Sequence, residues 1–309
     1  MIQKMNSALS LGLGAFAIAL SFGCNPSATG PSGGGGINDS ITNVPEAAQA
    51  MVAGLANYSE QSSTGVATLA APPTQGPAVS CATSRSRAVC SSNVMTINWN
   101  GCKSSFGTTS SAILTGQWTD TYASADACSA AQSGPLPEGQ SFSRQSDTGV
   151  TMKYPNGLTI TTDSKTHTTY SGVLITNGGT SVTMSAGQKI IQIKGLHRRS
   201  NAGGGADYSV ITTTPISVSG TKAKGDRTII GGTMTIYHNL SKYMATNTFN
   251  AVKWEKPTCC FPTSGSITTV YSGKTKGSTM LTFTPACGQA TLSVTGSAFQ
   301  RPIGLTQCE

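Results

Sequence analysis

The sequence predicts a mainly all-β fold: a large curved antiparallel sheet or open barrel, run as a meander, stapled by disulfides and carrying one amphipathic helix near its N-terminus. Three observations point there. From Cys81 onward short runs alternate apolar and polar residues, turn signals separate them, and no helical periodicity is interleaved. The cysteines are numerous and grouped, which suits an exported, cross-linked domain. Strands with period two bury one face, and hairpin-linked strands without crossover helices exclude an α/β plan.

Taken in order, the chain opens on an address. Lys4 is the only charge before the apolar run Leu11 to Phe22, which is too short to span a bilayer comfortably. Residues 1–23 therefore have the character of a secretory signal peptide. The junction Leu20-Ser21-Phe22-Gly23-Cys24 resembles the lipobox of bacterial lipoproteins, where a small residue precedes a cysteine that is acylated and becomes the first mature residue. That resemblance implies lipidation at Cys24, such as by palmitate, and attachment to a membrane through this anchor without a spanning segment. Asn25 stands where aspartate would retain such a protein in the inner membrane, so the resemblance implies the outer membrane, on its periplasmic or cell-surface face. An ordinary signal peptide cut nearby, leaving Cys24 as a thiol, is the alternative.

Residues 24–43 form the lipidated cysteine and a tether. Asn25 to Asp39 is rich in Gly, Ser and Pro, and a flexible chain of that length reaches about 20 Å. The β-rich domain, 44–309, begins with the helix at 44–58: Asn43 can cap it, Pro45 and Glu46 suit its first turn, and Val44, Ala48, Met51, Val52 and Leu55 share one face. Thr64 to Val79, with Pro72-Pro73 and Pro77, is a loop or covering arm.

Strands follow at Val94 to Trp99 and Ile113 to Tyr122, each carrying a tryptophan. Asn156-Gly157, between Val150 to Tyr154 and Leu158 to Ile160, is a strong hairpin signal, and a second Asn-Gly stands at 177 and 178. Further runs occupy 190–193, 208–212, 216–218, 233–237, 249–254, 267–271, 279–283 and 291–294. Many present one apolar face and one Thr/Ser/Lys face, so the sheet has a wet side.

Setting Cys24 aside leaves eight cysteines in two groups: Cys81, Cys90, Cys102 and Cys128, then Cys259, Cys260, Cys287 and Cys308. An even number in an exported chain argues for disulfides, and pairing within each group leaves nine connectivities. A metal site is disfavoured, because there is no Cys-x-x-Cys and His167, His197 and His238 are scattered. The stretch Cys259 to Ile267, with Leu281 to Phe283 and Cys287 to Leu292, resembles the C-terminal part of cysteine-stapled, β-rich bacterial lipoproteins of unassigned function. It implies β structure and export, and carries no activity with it.

Removing Lys4 with the signal peptide takes the net charge from +8 to +7, spread thinly with short clusters at His197-Arg198-Arg199 and Lys222 to Arg227. A nucleic-acid groove would need a concentrated stripe with interleaved aromatics, so no nucleic-acid partner is expected. No cofactor motif is present: Tyr271-Ser272-Gly273-Lys274-Thr275 echoes a phosphate-binding loop, but Thr268 replaces its first glycine. Asp120 and Asp126 flank Tyr122 as a possible acid and base pair, Asp163 and His167 lie four apart on what should be a solvated face, and Trp99, Trp118 and Trp254 are expected as core anchors. No catalytic residue is assigned. The expectation is a non-enzymatic, membrane-anchored envelope lipoprotein with a structural or interaction role, meeting an envelope polymer. The alternative is a carrier holding a lipid or other hydrophobic ligand between the curved sheet and the helix, and an enzyme acting on envelope polymers is third.

Overall fold

The computed structural model describes residues 89–305, apart from 107–109, 134–135, 147, 155–156, 177, 202–206, 221–226, 256–258 and 260. Cys24, the tether, the predicted helix at 44–58, Cys81, Cys260 and Cys308 lie outside the described residues.

The chain enters the sheet with β1 (Cys90–Ser91), β2 (Val94–Phe106) and β3 (Ser110–Tyr122), followed by the helix α1 (Ala125–Ser133). Next come β4 (Ser141–Gln145), β5 (Val150–Lys153), β6 (Thr159–Asp163), β7 (His167–Thr168), β8 (Leu174–Ile175) and β9 (Gly179–Ser185). Long hairpins complete the sheet: β10 (Gln188–Ser200), β11 (Asp207–Ser219), β12 (Arg227–His238), β13 (Tyr243–Trp254), β14 (Ser264–Gly273), β15 (Gly277–Phe283), β16 (Gln289–Val294) and β17 (Gln300–Gly304). All but β7 and β8 belong to one 15-stranded sheet.

The register turns this list into a simple plan. β4 and β5 both pair antiparallel with β3, at Tyr122↔Phe142 and at Gly116↔Val150, running in the same direction along it. They are two halves of one strand, broken at residues 146–149. β6 and β9 likewise share β10, through Asp163↔His197 and Gly179↔Gly195. Across the break β4 pairs with β9 and β5 with β6. Every neighbour is then a sequence neighbour, so the sheet is an up-and-down meander in which one strand is interrupted by an excursion, residues 164–178, that carries the separate β7–β8 hairpin.

Two close backbone approaches make the breaks possible. A Cβ on Gly116 would stand 2.1 Å from the Gly149 carbonyl oxygen, and one on Gly178 2.1 Å from that of Gly195. Only glycine fits there. Ser146 and Ser164 satisfy the interrupted ladder: Ser146 N–H donates to Ser164 Oγ at 2.8 Å, Ser164 N–H to the Ser146 carbonyl at 3.1 Å, and Ser146 Oγ to the Gln117 carbonyl. Both serines are buried, and the pairing keeps their polar groups from being orphaned.

One face of the sheet carries a large apolar cluster running from Met95, Ile97 and Trp99 on β2 to Phe283 on β15 and Ala290 on β16. The three tryptophans anchor it, each at 5% exposure or less. Ala127 and Cys128 of α1 join the same cluster. Register shifts between Ile191 and Leu196 and between Asn250 and Lys253 mark bulges, which add bend and twist to long strands.

Disulfides join Cys90 to Cys128, tying β1 to α1, and Cys259 to Cys287, tying the segment before β14 to the turn before β16. Cys102 is disulfide-bonded too, to a partner outside the described residues.

Three readings of the sequence are corrected. The stretch from Cys81 is not strand and turn throughout, because α1 interrupts it. Ser124 caps that helix, its Oγ accepting from Ala127 N–H at 3.1 Å. Thr291 to Val294 is not the last strand: β17 pairs with it through Leu292↔Arg301. The second Asn-Gly joins no hairpin across itself: Asn177 lies outside the described residues, β8 before it pairs with β7, and Gly178 is spent on the close approach to Gly195.

Candidate functional site

On the face opposite the apolar cluster, antiparallel register sets Asp163, His197, Ser209 and Tyr237 side by side across β6, β10, β11 and β12. The next row holds Arg199 and Asp207. The excursion lies over these rows. Ile175 packs above Gly195, where a Cβ would come 2.1 Å from its Cγ2, and Tyr170 N–H donates to Asn239 Oδ1 at 2.9 Å in the β12–β13 turn.

His167 comes down from β7 and stacks on His197, ring centroids 4.4 Å apart and planes 13° apart. Its Nδ1 lies 2.8 Å from the Lys165 carbonyl, which can only accept, so Nδ1 carries the proton. The bare Nε2 then accepts from the Ser209 hydroxyl at 2.7 Å. Arg199 can only donate, so His197 Nδ1 accepts from its Nη1 at 3.3 Å, and His197 Nε2–H donates to Asp207 Oδ1 at 2.9 Å. Asn239 Nδ2 closes the network, donating to Asp207 Oδ1 at 2.8 Å and to Ser209 Oγ at 3.2 Å. Arg199 Nη1 also meets Asp163 Oδ2 at 3.0 Å.

Electrostatics favours a neutral His167 ring. Burial lowers the His167 pKa; the Lys165 carbonyl offsets this in part, and a charge on adjacent His197 would lower it further. Burial alone would raise the Asp207 carboxyl, but hydrogen bonds from Asn239 and His197 outweigh it, and its pKa is lowered.

A serine bonded to a histidine whose other nitrogen is held by an acceptor is the arrangement that activates a nucleophile. Here access decides against attack, since Ser209 is fully buried, at 0% exposure. Every polar atom of the pair is engaged, and the network fastens the excursion to the sheet.

A buried polar region lies on the opposite, core face at the same end. His238 stacks on Tyr243 at 4.1 Å, and its Nε2 is buried without a hydrogen-bond partner. Burial pushes the His238 pKa down to about 4 and those of Tyr243 and Tyr271 up to about 12. Asn247 is held between strands, donating to the Ala245 carbonyl at 3.1 Å and accepting from Thr269 Oγ1 at 2.8 Å.

The structure separates Asp120 from Asp126. Asp120 is buried and takes two hydrogen bonds of 2.6 Å from Arg144, while Asp126 is exposed in the first turn of α1. Breaking a buried pair of this kind costs about 3–5 kcal/mol, so Asp120 has a structural partner rather than a catalytic one. Asp163 and His167 do not share a solvated face: Asp163 is 1% exposed and His167 half-buried. The basic clusters are partly internal as well, with Arg198 buried and the Arg227 guanidinium 4.3 Å from the Trp254 ring centroid. The sequence missed Ser209, Asp207 and Asn239, whose only signal is the strand register. Among the described residues, no three His, Cys, Asp or Glu side chains converge as a metal site.

No family model, curated protein or solved structure matches this chain.

Proposed function

We propose that this protein is a non-enzymatic, outer-membrane-anchored envelope lipoprotein whose disulfide-stapled meander has a structural or interaction role. The observation that carries the non-enzymatic part is the closed state of the Ser209, His167 and His197 cluster, which spends its reactive groups on fastening the excursion. The anchor rests on the lipobox-like junction at Cys24 and the glycine-rich tether behind it. A carrier of hydrophobic ligands would need open apolar space; Trp254, Tyr208 and Phe249 are instead fully buried within the apolar face.

Metabolic labelling with radioactive palmitate tests the anchor. Cys24→Ala is expected to abolish labelling and release the protein from membranes, and unchanged labelling would refute it. Lipid extraction and mass spectrometry of the purified protein test the role. A stoichiometric hydrophobic ligand would replace the interaction reading with the carrier.

A further inference from the structure

We propose that the end of the sheet occupied by the excursion is a docking surface for an anionic lipid interface.

Three turns gather there. Tyr170, in the turn between β7 and β8, reaches the β12–β13 turn through Asn239, and its hydroxyl would stand 2.7 Å from a Cβ on Gly273, the last residue of β14, where the β14–β15 turn begins. Lys274 N–H donates to the Lys242 carbonyl at 3.0 Å, joining the second and third turns. These tips carry aliphatic side chains into solvent: Leu174 is 59% exposed, Leu240 58% and Val173 42%. Phe299, 45% exposed, is at the same end, because the turn after β16 begins with Thr295 N–H donating to the Ser278 carbonyl, beside the start of β15.

Single exposed apolar residues need no explanation. The charge around these does. Lys242, Lys274 and Lys276 are exposed in the same turns. Among the described residues the exposed acids are Asp126, Glu138 and Glu255, and all three lie at the opposite end. Asp126 is in α1, just beyond the end of β3; Glu138 accepts from Gly187 N–H in the β9–β10 turn; Glu255 follows β13. Asp207, at the docking end, is already tied to His197 and Asn239.

Aliphatic side chains on protruding tips, ringed by lysines, suit a deformable surface of apolar chains beneath anionic headgroups. A protein partner would call for a complementary groove or an exposed strand edge, and these tips are neither. The contact does not depend on acylation at Cys24, so it can be tested apart from the anchor.

The test is hydrogen–deuterium exchange of the full chain carrying Cys24→Ala, with phosphatidylcholine vesicles containing or lacking phosphatidylglycerol. Exchange is expected to slow at residues 169–173, 239–242 and 273–276 on the anionic vesicles alone. Lys274→Glu with Lys276→Glu should weaken that binding by more than about 25-fold, about fivefold for each lysine lost with the repulsion of each new carboxylate in addition, and Leu240→Ser about tenfold. All three positions are exposed, so circular dichroism should be unchanged and separates lost binding from lost folding. Protection confined to residues before Cys24, protection indifferent to charge reversal, or protection by an anionic polysaccharide with none on vesicles would each overturn the proposal.

Discussion

His238 is a buried imidazole held neutral by its surroundings, and its proton equilibrium is a measurable part of the protein's stability. With a pKa of about 4 in the fold against 6.5 in the open chain, the unfolded state takes up the proton first as pH falls. The contribution is fully present above pH 6.5 and is lost between 6.5 and 4, amounting to about 3 kcal/mol at most. Denaturant midpoints across that window should fall for the native protein and fall less for His238→Phe. His167, also lowered, adds to the slope in the same direction. The individual tryptophans were legible as core anchors because large aromatic residues on alternating strands have few other places to go. The histidine network was not: proximity of Asp163 and His167 in sequence says nothing of Ser209 or Asp207, which arrive only through pairing of β10 with β11.

At the scale of elements, the excursion is held by one polar and one apolar fastening. The polar one is the stacked histidines with Ser209; the apolar one is Ile175 seated over the bare Cα of Gly195. Gly195→Ala is expected to cost about 1–3 kcal/mol by overpacking, seen as a lower denaturant midpoint and faster amide exchange across residues 167–175. Pairing it with Ile175→Ala should recover part of the loss. Strong alternation and the Asn156-Gly157 turn made the long strands and the β5–β6 hairpin readable, and Gly157 N–H does close on the Tyr154 carbonyl at 3.0 Å. α1 escaped because nine residues give too little periodicity to stand out, although Ser124 ahead of an alanine-rich stretch was an available cap signal. Asn177-Gly178 misled because an Asn-Gly pair marks a tight local bend without saying which strands it joins.

For the whole molecule, the fold class was legible because a meander is a local topology: each strand pairs with its neighbours in sequence, so turn spacing and alternation carry nearly all of the information. What could not be read was the split of two strands, which depends on glycine contacts between distant segments. The cysteine groups were legible as groups, and the two observed bonds each stay within one. With Cys90–Cys128 and Cys259–Cys287 formed, pairing within groups leaves Cys81–Cys102 and Cys260–Cys308. Peptide mapping without reduction is expected to find those two linkages and no free thiol, and a maleimide adduct on the unfolded, unreduced chain would contradict it. Each observed bridge constrains the open chain by about 3–4 kcal/mol in a loop-entropy description.

The interrupted strand has a consequence for how the protein can change. Asp163 faces His197 and Gly179 faces Gly195, so the sheet resumes after the interruption having advanced by only two residues on β10. The scaffold therefore registers where the inserted segment leaves and returns, and hardly registers its length, because closure entropy grows slowly with loop size. The excursion occupies a port: lineages or engineers can lengthen, shorten or exchange what is mounted there while the meander beneath keeps its pairing.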